Sequence, residues 1–185
     1  ARDNLLSIKT LFATLYTGSQ TDGKLLNEIE DEQGPFDIII DDASHVSEHQ
    51  IKTFSIMFPK LKPGGLYIVE DTHTSYQSGG KYGKHSPALF FDNEKEKEKL
   101  SFMEYSKKLI DLMHKYEWKE FFTPEIFEKM GFNKEDLSEE IYSNIKNISV
   151  YPNIVVFTKE KKPWNSQIKK HLDSAKFIEF DQAMM

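Results

Sequence analysis

The chain has 185 residues, a formal net charge of −6 at pH 7 and no cysteine. This length predicts one domain over residues 1–185, and the absence of cysteine excludes disulfides, zinc–thiolate sites and cysteine nucleophiles. The acidic balance argues against nucleic acid as a partner. No apolar run approaches the ~20 residues that cross a bilayer, and we therefore expect a cytoplasmic protein without membrane contact.

A strand–loop–helix unit is predicted at the beginning of the chain. Thr10–Tyr16 is apolar and aromatic, as in a β-strand, and Leu25–Glu32 carries apolar residues at helical spacing. The loop Gly18–Asp22 would then lie at the C-terminal end of a strand. Its polar side chains are typical of a turn, and they are also able to hydrogen-bond a ligand.

Two apolar runs, Phe36–Ile40 and Leu66–Val69, are predicted to form neighbouring parallel strands. Between them lie Ser47–Leu61, which has the length and periodicity of a helix, and the turn Lys62–Gly65. Strand, helix, turn and strand in this order are typical of a right-handed βαβ unit. Because both runs are continuously apolar, we expect each strand to be buried on both faces.

Each of these strands ends on acidic residues. Asp41 and Asp42 follow the first strand, and Glu70 and Asp71 follow the second. Since the C-terminal ends of parallel neighbours share one edge, where ligands bind in open α/β folds, the four carboxylates are predicted to converge. Clustered carboxylates repel unless a cation or proton lies among them, and their oxygens suit Mg²⁺. The alternative role of such acids is to cap the following helices.

A histidine follows the first pair of acids. His45 lies three residues after Asp42 and is expected to face the same pocket, as a general base or as an ordinary surface histidine. The segment Thr72–Pro87 is rich in Gly, Ser, Tyr and His and is predicted to be a loop at the same edge. Tyr76 and Tyr82 in this loop are candidates for contact with a substrate.

The second half of the chain is predicted to add a helix and a β-hairpin. Asp92–Tyr116 begins with a charge run and continues with apolar residues at helical spacing. Ile145–Val150 and Ile154–Thr158 are rich in β-formers and flank Tyr151–Asn153, which is a hairpin signal. We expect Ile168–Phe180 to form a helix or to contact a partner.

Two segments carry a resemblance to a known family. FDIIIDDASH (36–45) and KPGGLYIVEDTHTSY (62–76), with the closing hairpin, resemble class I S-adenosylmethionine-dependent methyltransferases. The resemblance is to the macrocin and mycinamicin sugar O-methyltransferases, whose pattern is IDDGSH, PGGLYVIED and TSY; Ala43 stands where the pattern has glycine. It implies an α/β fold with a Rossmann-like, mostly parallel sheet and a C-terminal antiparallel β-hairpin, of which this chain would be the C-terminal two-thirds.

The resemblance assigns roles at the acidic edge. It implies that Asp42, Glu70 and Asp71 bind Mg²⁺ and that His45 is the base. The acceptor would be a hydroxyl group of a sugar or a similar small molecule, methylated from S-adenosylmethionine. Two other classes remain open: a metal-dependent hydrolase that uses the same acids, and a non-catalytic remnant that serves as an interaction module.

The beginning of the chain departs from the family pattern. The family loop GDQSD corresponds to Gly18–Asp22, which implies cofactor contacts from Ser19 and Gln20, with Asp41 beside them. The glycine-rich cofactor loop of the family has no counterpart before this point, so we expect the first two strands of the fold to be absent. The strand Phe36–Ile40 would then have an open edge, which a homo-oligomer or a rearranged segment would cover.

Overall fold

The computed structural model describes residues 8–9, 13–76, 100–113 and 139–160 of the chain. Predicted features at residues 77–87, 92–99, 114–116 and 168–180, Tyr82 among them, lie outside the described residues. Two short 3₁₀ helices, Phe58–Lys60 and Thr72–Tyr76, flank the fourth strand. The other helices and strands are, in chain order, β1 (Ile8–Lys9), β2 (Thr14–Leu15), α1 (Gly23–Gln33), β3 (Phe36–Asp41), α2 (Ser47–Met57), β4 (Leu61–Val69), α3 (Phe102–Met113), α4 (Glu139–Ser143), β5 (Ile145–Tyr151) and β6 (Ile154–Lys159).

A four-stranded sheet in the order β3-β4-β6-β5 lies at the centre of the described structure. β3 and β4 are parallel, whereas β6 is antiparallel to both β4 and β5. The predicted α/β class, the parallel βαβ pair and the C-terminal hairpin are confirmed. Within the described residues the sheet is less parallel than expected, because the hairpin pairs directly with β4 and contributes two of the three pairings.

The predicted N-terminal strand does not join this sheet. Thr14–Leu15 pairs with Ile8–Lys9 in a separate two-stranded sheet, so the described part of the predicted strand Thr10–Tyr16 is short and lies outside the central sheet. The predicted helix Leu25–Glu32 is confirmed as α1. The two short strands are close in sequence and pair antiparallel with each other, with Ile8 opposite Leu15 and Lys9 opposite Thr14. β3 is consequently an edge strand of the described sheet, as predicted.

The predicted turn Lys62–Gly65 is a bulge inside β4. Phe36 pairs with Leu61, and the next pair is Ile38 with Leu66, so β4 carries extra residues at this point. The first of the two glycines in the bulge has a φ of 83°, which favours glycine over residues with a side chain. The strand therefore begins five residues earlier than the apolar run Leu66–Val69 indicated.

The core forms on one face of the sheet. α2 packs on β3 and β4, and α1 and α3 flank α2. Phe54, at the centre of α2, is fully buried, and its ring lies 4.5 Å from that of Phe157 and 5.1 Å from that of Tyr67, between ring centroids. Aromatic pairs at such distances add to the stabilisation that burial provides. The predicted crossover helix is thus confirmed.

The other face of β3 is open. Ile38 is 56% exposed and Ile40 is 57% exposed, so the expected burial of this strand on both faces is wrong. Successive side chains of a strand point to opposite faces, and the helices pack on the face that carries Ile39 and Asp41.

No helix in the described part of the chain has the length and apolar character that a membrane span requires.

Gly65→Ala should destabilise the fold. The added Cβ would lie 2.9 Å from the backbone oxygens of Asp37 and Lys62, a conflict that side-chain rotation does not relieve. We expect the free energy of unfolding in urea to fall by about 1–3 kcal/mol. Gly23→Ala is the matched control, because its Cβ would meet only a methyl group of Ile56 at 3.5 Å. Equal stability of the two variants would contradict the close approach at Gly65.

Candidate functional site

Three side chains meet beyond the carboxyl ends of β3 and β4. The possible ligand atoms of Asp42, His45 and Asp71 all lie within 4.8 Å of one another. Nε2 of His45 lies 3.6 Å from Oδ2 of Asp71 and 3.9 Å from Oδ1 of Asp42. The imidazole is largely buried, whereas both carboxylates are about half exposed. We call these three residues the acidic cluster.

Main-chain pairing brings the two halves of the cluster together. The parallel register ends with Asp41 opposite Val69, and the N–H of Glu70 then donates to the carbonyl oxygen of Asp41 at 3.0 Å. The loops that carry Asp42 and Asp71 therefore leave the sheet at the same level. The carboxylate of Glu70, the third predicted ligand, is not among the clustered groups found in the described residues.

Two members of the acidic cluster have unusual backbone conformations. His45 has a φ of 56° and Asp71 has a φ of 52°. Residues with a side chain seldom adopt this left-handed region, which costs on the order of 1 kcal/mol for each residue. Among the described residues, the only other such case is Asn153, in the turn of the hairpin. Strain that coincides with converging polar side chains is typical of functional sites.

Asp41 lies apart from the acidic cluster, on the buried face of the sheet. Its carboxyl group accepts hydrogen bonds from Nε2 of Gln20 at 3.3 Å and from the hydroxyl of Tyr67 at 3.5 Å. Burial raises the pKa of Asp41 to about 6, although these hydrogen bonds, one from the N–H of Ala43 and the charge of His45 all act against the shift. Asp41 and Asp42 are consecutive in an extended chain, so their side chains point in opposite directions. Of the four carboxylates predicted to converge, those of Asp42 and Asp71 are found in the cluster.

The loop Gly18–Asp22 lies against these strand ends, as predicted, and Gln20 attaches it there. Besides the bond to Asp41, Nε2 of Gln20 donates to Oγ1 of Thr53 at 3.1 Å, and Oε1 accepts from the N–H of Ser44 at 2.8 Å. Both ends of this amide are therefore occupied by the protein itself. The sequence predicted this position for the loop because a strand of the central sheet was expected before it. In the structure the hydrogen bonds of Gln20 hold the loop there instead, and the preceding strand lies in a separate sheet.

The other candidates lie nearer the surface. Ser19 is exposed, and its hydroxyl lies 3.0 Å from that of Thr21. Tyr76 is exposed at the end of the 3₁₀ helix Thr72–Tyr76. His73, which the sequence pattern indicated as a loop residue without a metal signature, has Nδ1 3.7 Å from Oδ1 of Asp71.

Three buried polar residues were missed by sequence reasoning. The hydroxyl of Tyr67 donates to the carboxyl group of Asp41. Nε2 of the fully buried Gln50 donates to the carbonyl oxygen of Glu70 at 3.2 Å. The hydroxyl of Thr74 donates to the carbonyl oxygen of His45. Gln50 precedes Phe54 by four residues on the buried side of α2, a position where a polar residue signals a specific partner. Tyr67 and Thr74 lie within the family motifs PGGLYVIED and TSY, but these motifs assigned no role to them.

The chain is similar in sequence to enzymes named as sugar-directed O-methyltransferases. It is 49% identical over 69 residues to L-olivosyl-oleandolide 3-O-methyltransferase of Streptomyces antibioticus, covering 37% of this chain and 17% of that protein. It is 40% identical over 101 residues to 8-demethyl-8-(2-methoxy-alpha-L-rhamnosyl)-tetracenomycin-C 3'-O-methyltransferase of Streptomyces olivaceus, covering 55% and 24%. The chain thus spans at most about a quarter of the length of these relatives. No protein-family model matches it.

The comparison of structures agrees with the comparison of sequences. The fold resembles that of class I S-adenosylmethionine-dependent methyltransferases. One similar solved structure is that of the MycE methyltransferase from the mycinamycin biosynthetic pathway, in complex with Mg and SAH. It gives a TM-score of 0.54 and 29% identity over 78% of this chain and 31% of that one. A second MycE structure, which also contains mycinamycin VI, gives a TM-score of 0.55 at 28% identity. The predicted resemblance to the macrocin and mycinamicin group is confirmed.

The buried carboxyl group of Asp41 predicts a pH dependence of stability. Its pKa is about 6 in the folded chain and 3.8 for an ordinary Asp, so between these values the folded state binds the proton more tightly. The free energy of unfolding should therefore fall as pH rises from about 4 to 6, by on the order of 2–3 kcal/mol. Urea unfolding in the presence of a chelator measures this fall, and Asp41→Asn should remove it.

Asp37→Asn is the control for this titration. Asp37 is an exposed residue of the same strand, paired with Lys62, and its variant should keep the fall with rising pH. Parallel pH profiles for the wild-type chain and Asp41→Asn would contradict the assignment to Asp41.

Proposed function

We propose that the chain carries the metal-binding and proton-accepting part of an S-adenosylmethionine-dependent O-methyltransferase. Its acceptor would be a hydroxyl group on the sugar of a small molecule. The observation that carries this proposal is the convergence of Asp42, His45 and Asp71 at the carboxyl edge of a parallel strand pair. Support comes from relatives whose names include olivosyl and rhamnosyl groups and from the likeness to MycE, whose structure contains Mg, SAH and mycinamycin VI.

The donor set of the acidic cluster fits a divalent metal ion. Asp42 and Asp71 offer accessible carboxylate oxygens, which are the ligands that Mg²⁺ prefers, at positions set by the pairing of β3 with β4. Glu70 adjoins Asp71 and is the third ligand that the resemblance suggests. A divalent ion bound here would lower the pKa of an acceptor hydroxyl group. Holding two acids this close without a cation costs electrostatic free energy.

His45 is the proposed base. Its Nε2 faces the oxygens of both Asp42 and Asp71, so an acceptor hydroxyl held near those carboxylates would lie within reach of the imidazole. The same two carboxylates would stabilise the positive charge that Nε2 gains with the proton. The deprotonated oxygen would then attack the methyl group of S-adenosylmethionine, with SAH as the leaving product. Positioning of the acceptor and the cofactor would also contribute to the acceleration.

The loop Gly18–Asp22 is the proposed contact for the cofactor. Gln20 holds this loop against Asp41, and the exposed Ser19 is the residue next to it in the loop. Ser19 and the loop backbone would contact the cofactor, while Gln20 and Asp41 would keep the loop in place. Tyr76, exposed at the end of the 3₁₀ helix, is the proposed contact for the acceptor.

Calorimetric titration with SAH, with and without Mg²⁺, tests the class of protein. A methyltransferase should bind SAH in the micromolar range, because the product occupies the cofactor site. A metal-dependent hydrolase should bind the metal ion and not SAH, and an interaction module should bind neither. Either of the last two results, obtained with a folded sample, would overturn the proposed function.

His45→Ala should lower the rate of methyl transfer by about 10²–10⁴-fold, because general bases typically contribute this much. The assay is transfer of labelled methyl from S-adenosylmethionine to a sugar-bearing acceptor, with SAH affinity and unfolding free energy measured alongside; both should be retained. His73→Ala is the matched control, since that imidazole also lies near Asp71 but is exposed. Unchanged turnover in His45→Ala, or an equal loss in His73→Ala, would remove the base assignment.

A further inference from the structure

The hydroxyl group of Thr74 connects the two loops of the acidic cluster. Its Oγ1 lies 2.8 Å from the carbonyl oxygen of His45 and 3.0 Å from the carbonyl oxygen of Asp71. A hydroxyl group has one proton, so the two carbonyl groups share a single donor. Thr74 is buried, and water therefore competes little for this bond. The loop after β3 is in this way bonded to the loop after β4.

Both carbonyl groups belong to the residues with strained backbones. His45 and Asp71 have φ values of 56° and 52°, and such conformations persist where surrounding contacts hold them. The N–H of Thr74 also donates to the carbonyl oxygen of Asp71, at 3.1 Å. Because the carbonyl and the side chain branch from one Cα, fixing the carbonyl direction constrains where the imidazole and the carboxylate point.

Thr74 is itself held in place by distant parts of the fold. It lies in the 3₁₀ helix Thr72–Tyr76, whose first N–H donates to the carbonyl oxygen of Asn153 at 3.0 Å. The hydroxyl of Ser75 accepts a bond from the N–H of Met103 at 3.3 Å. The hairpin turn and the beginning of α3 thus fix the position from which Thr74 acts.

We propose that Thr74 is a positioning residue of the metal site. Its shared hydrogen bond sets the separation between the imidazole of His45 and the carboxylate of Asp71, and thereby the affinity of the acidic cluster for a divalent cation. Thr74 would act through His45 and Asp71, whose carbonyl groups its hydroxyl contacts. The effect of Thr74 on the separation of His45 and Asp71 does not depend on the proposed function, whereas its effect on metal affinity rests on that function.

The test compares two substitutions of Thr74 in the 185-residue chain. Thr74→Val keeps the shape and removes the hydroxyl, whereas Thr74→Ser keeps the hydroxyl. Binding of Mn²⁺ is measured from the electron paramagnetic resonance signal of the free ion. We expect Thr74→Val to weaken Mn²⁺ binding by about tenfold or more, which is the usual effect of removing a residue that orients metal ligands. Thr74→Ser should bind Mn²⁺ within about twofold of the wild-type chain. Thr74→Ala, which adds no volume, replaces the valine variant if that protein does not fold.

A matched control separates positioning from general destabilisation. Ser106 in α3 is also buried, and its hydroxyl donates to the carbonyl oxygen of Phe102 at 2.8 Å, away from the cluster. Ser106→Ala should bind Mn²⁺ as the wild-type chain does. An equal loss of affinity in Ser106→Ala, or wild-type affinity in Thr74→Val, would overturn the proposal.

A second readout does not depend on metal. A crystal structure of metal-free Thr74→Val should show Nε2 of His45 and Oδ2 of Asp71 farther apart than the 3.6 Å of the wild-type chain. An unchanged separation would overturn the proposal. If the wild-type chain bound no Mn²⁺ while this separation changed, the proposed metal site would be wrong and the positioning role of Thr74 would be supported.

Discussion

The parallel pairing of β3 with β4 is the constraint on which the candidate site depends. The pairing continues one bond past the strands, from the N–H of Glu70 to the carbonyl oxygen of Asp41, so both loops begin at the same level. A shift of β3 by one residue would exchange the faces of Asp41 and Asp42, which would turn Asp42 toward the core and away from Asp71. The register is held because Tyr67 and Val69 are fully buried on the face that packs against α2.

Two consecutive carboxyl groups acquire different environments from this pairing. Asp41 is 5% exposed, with a pKa raised to about 6 by burial, whereas Asp42 lies outside the sheet and is accessible. Environments that separate two carboxyl groups in this way also separate their roles. Asp41 bonds to Gln20 and holds the loop before α1, while Asp42 contributes to the acidic cluster. One dipeptide therefore couples the proposed cofactor side of the site to the proposed metal side.

The sequence predicted those features that local patterns determine. The βαβ unit, the hairpin and the meeting of Asp42, His45 and Asp71 follow from apolar runs and from the residues that end them. The exposure of Ile38 and Ile40 did not follow, because an apolar run does not state which face the distant helices cover. The left-handed backbones of the cluster could not be predicted either, because His and Asp adopt that conformation far less readily than glycine and so do not signal it.

The hairpin carries no member of the acidic cluster, yet it contributes to the geometry of the cluster. Its turn residue Asn153 accepts a bond from the first residue of the 3₁₀ helix, and that helix presents Thr74 to the carbonyl groups of His45 and Asp71. Strain and charge repulsion in the loops are therefore balanced by contacts with the hairpin turn and with α3. A cation that binds only the folded chain would add to this balance, because such a ligand stabilises the state that it binds. The closeness of Asp42 to Asp71 thus depends on contacts from several parts of the described fold, as well as on the two loops that carry these residues.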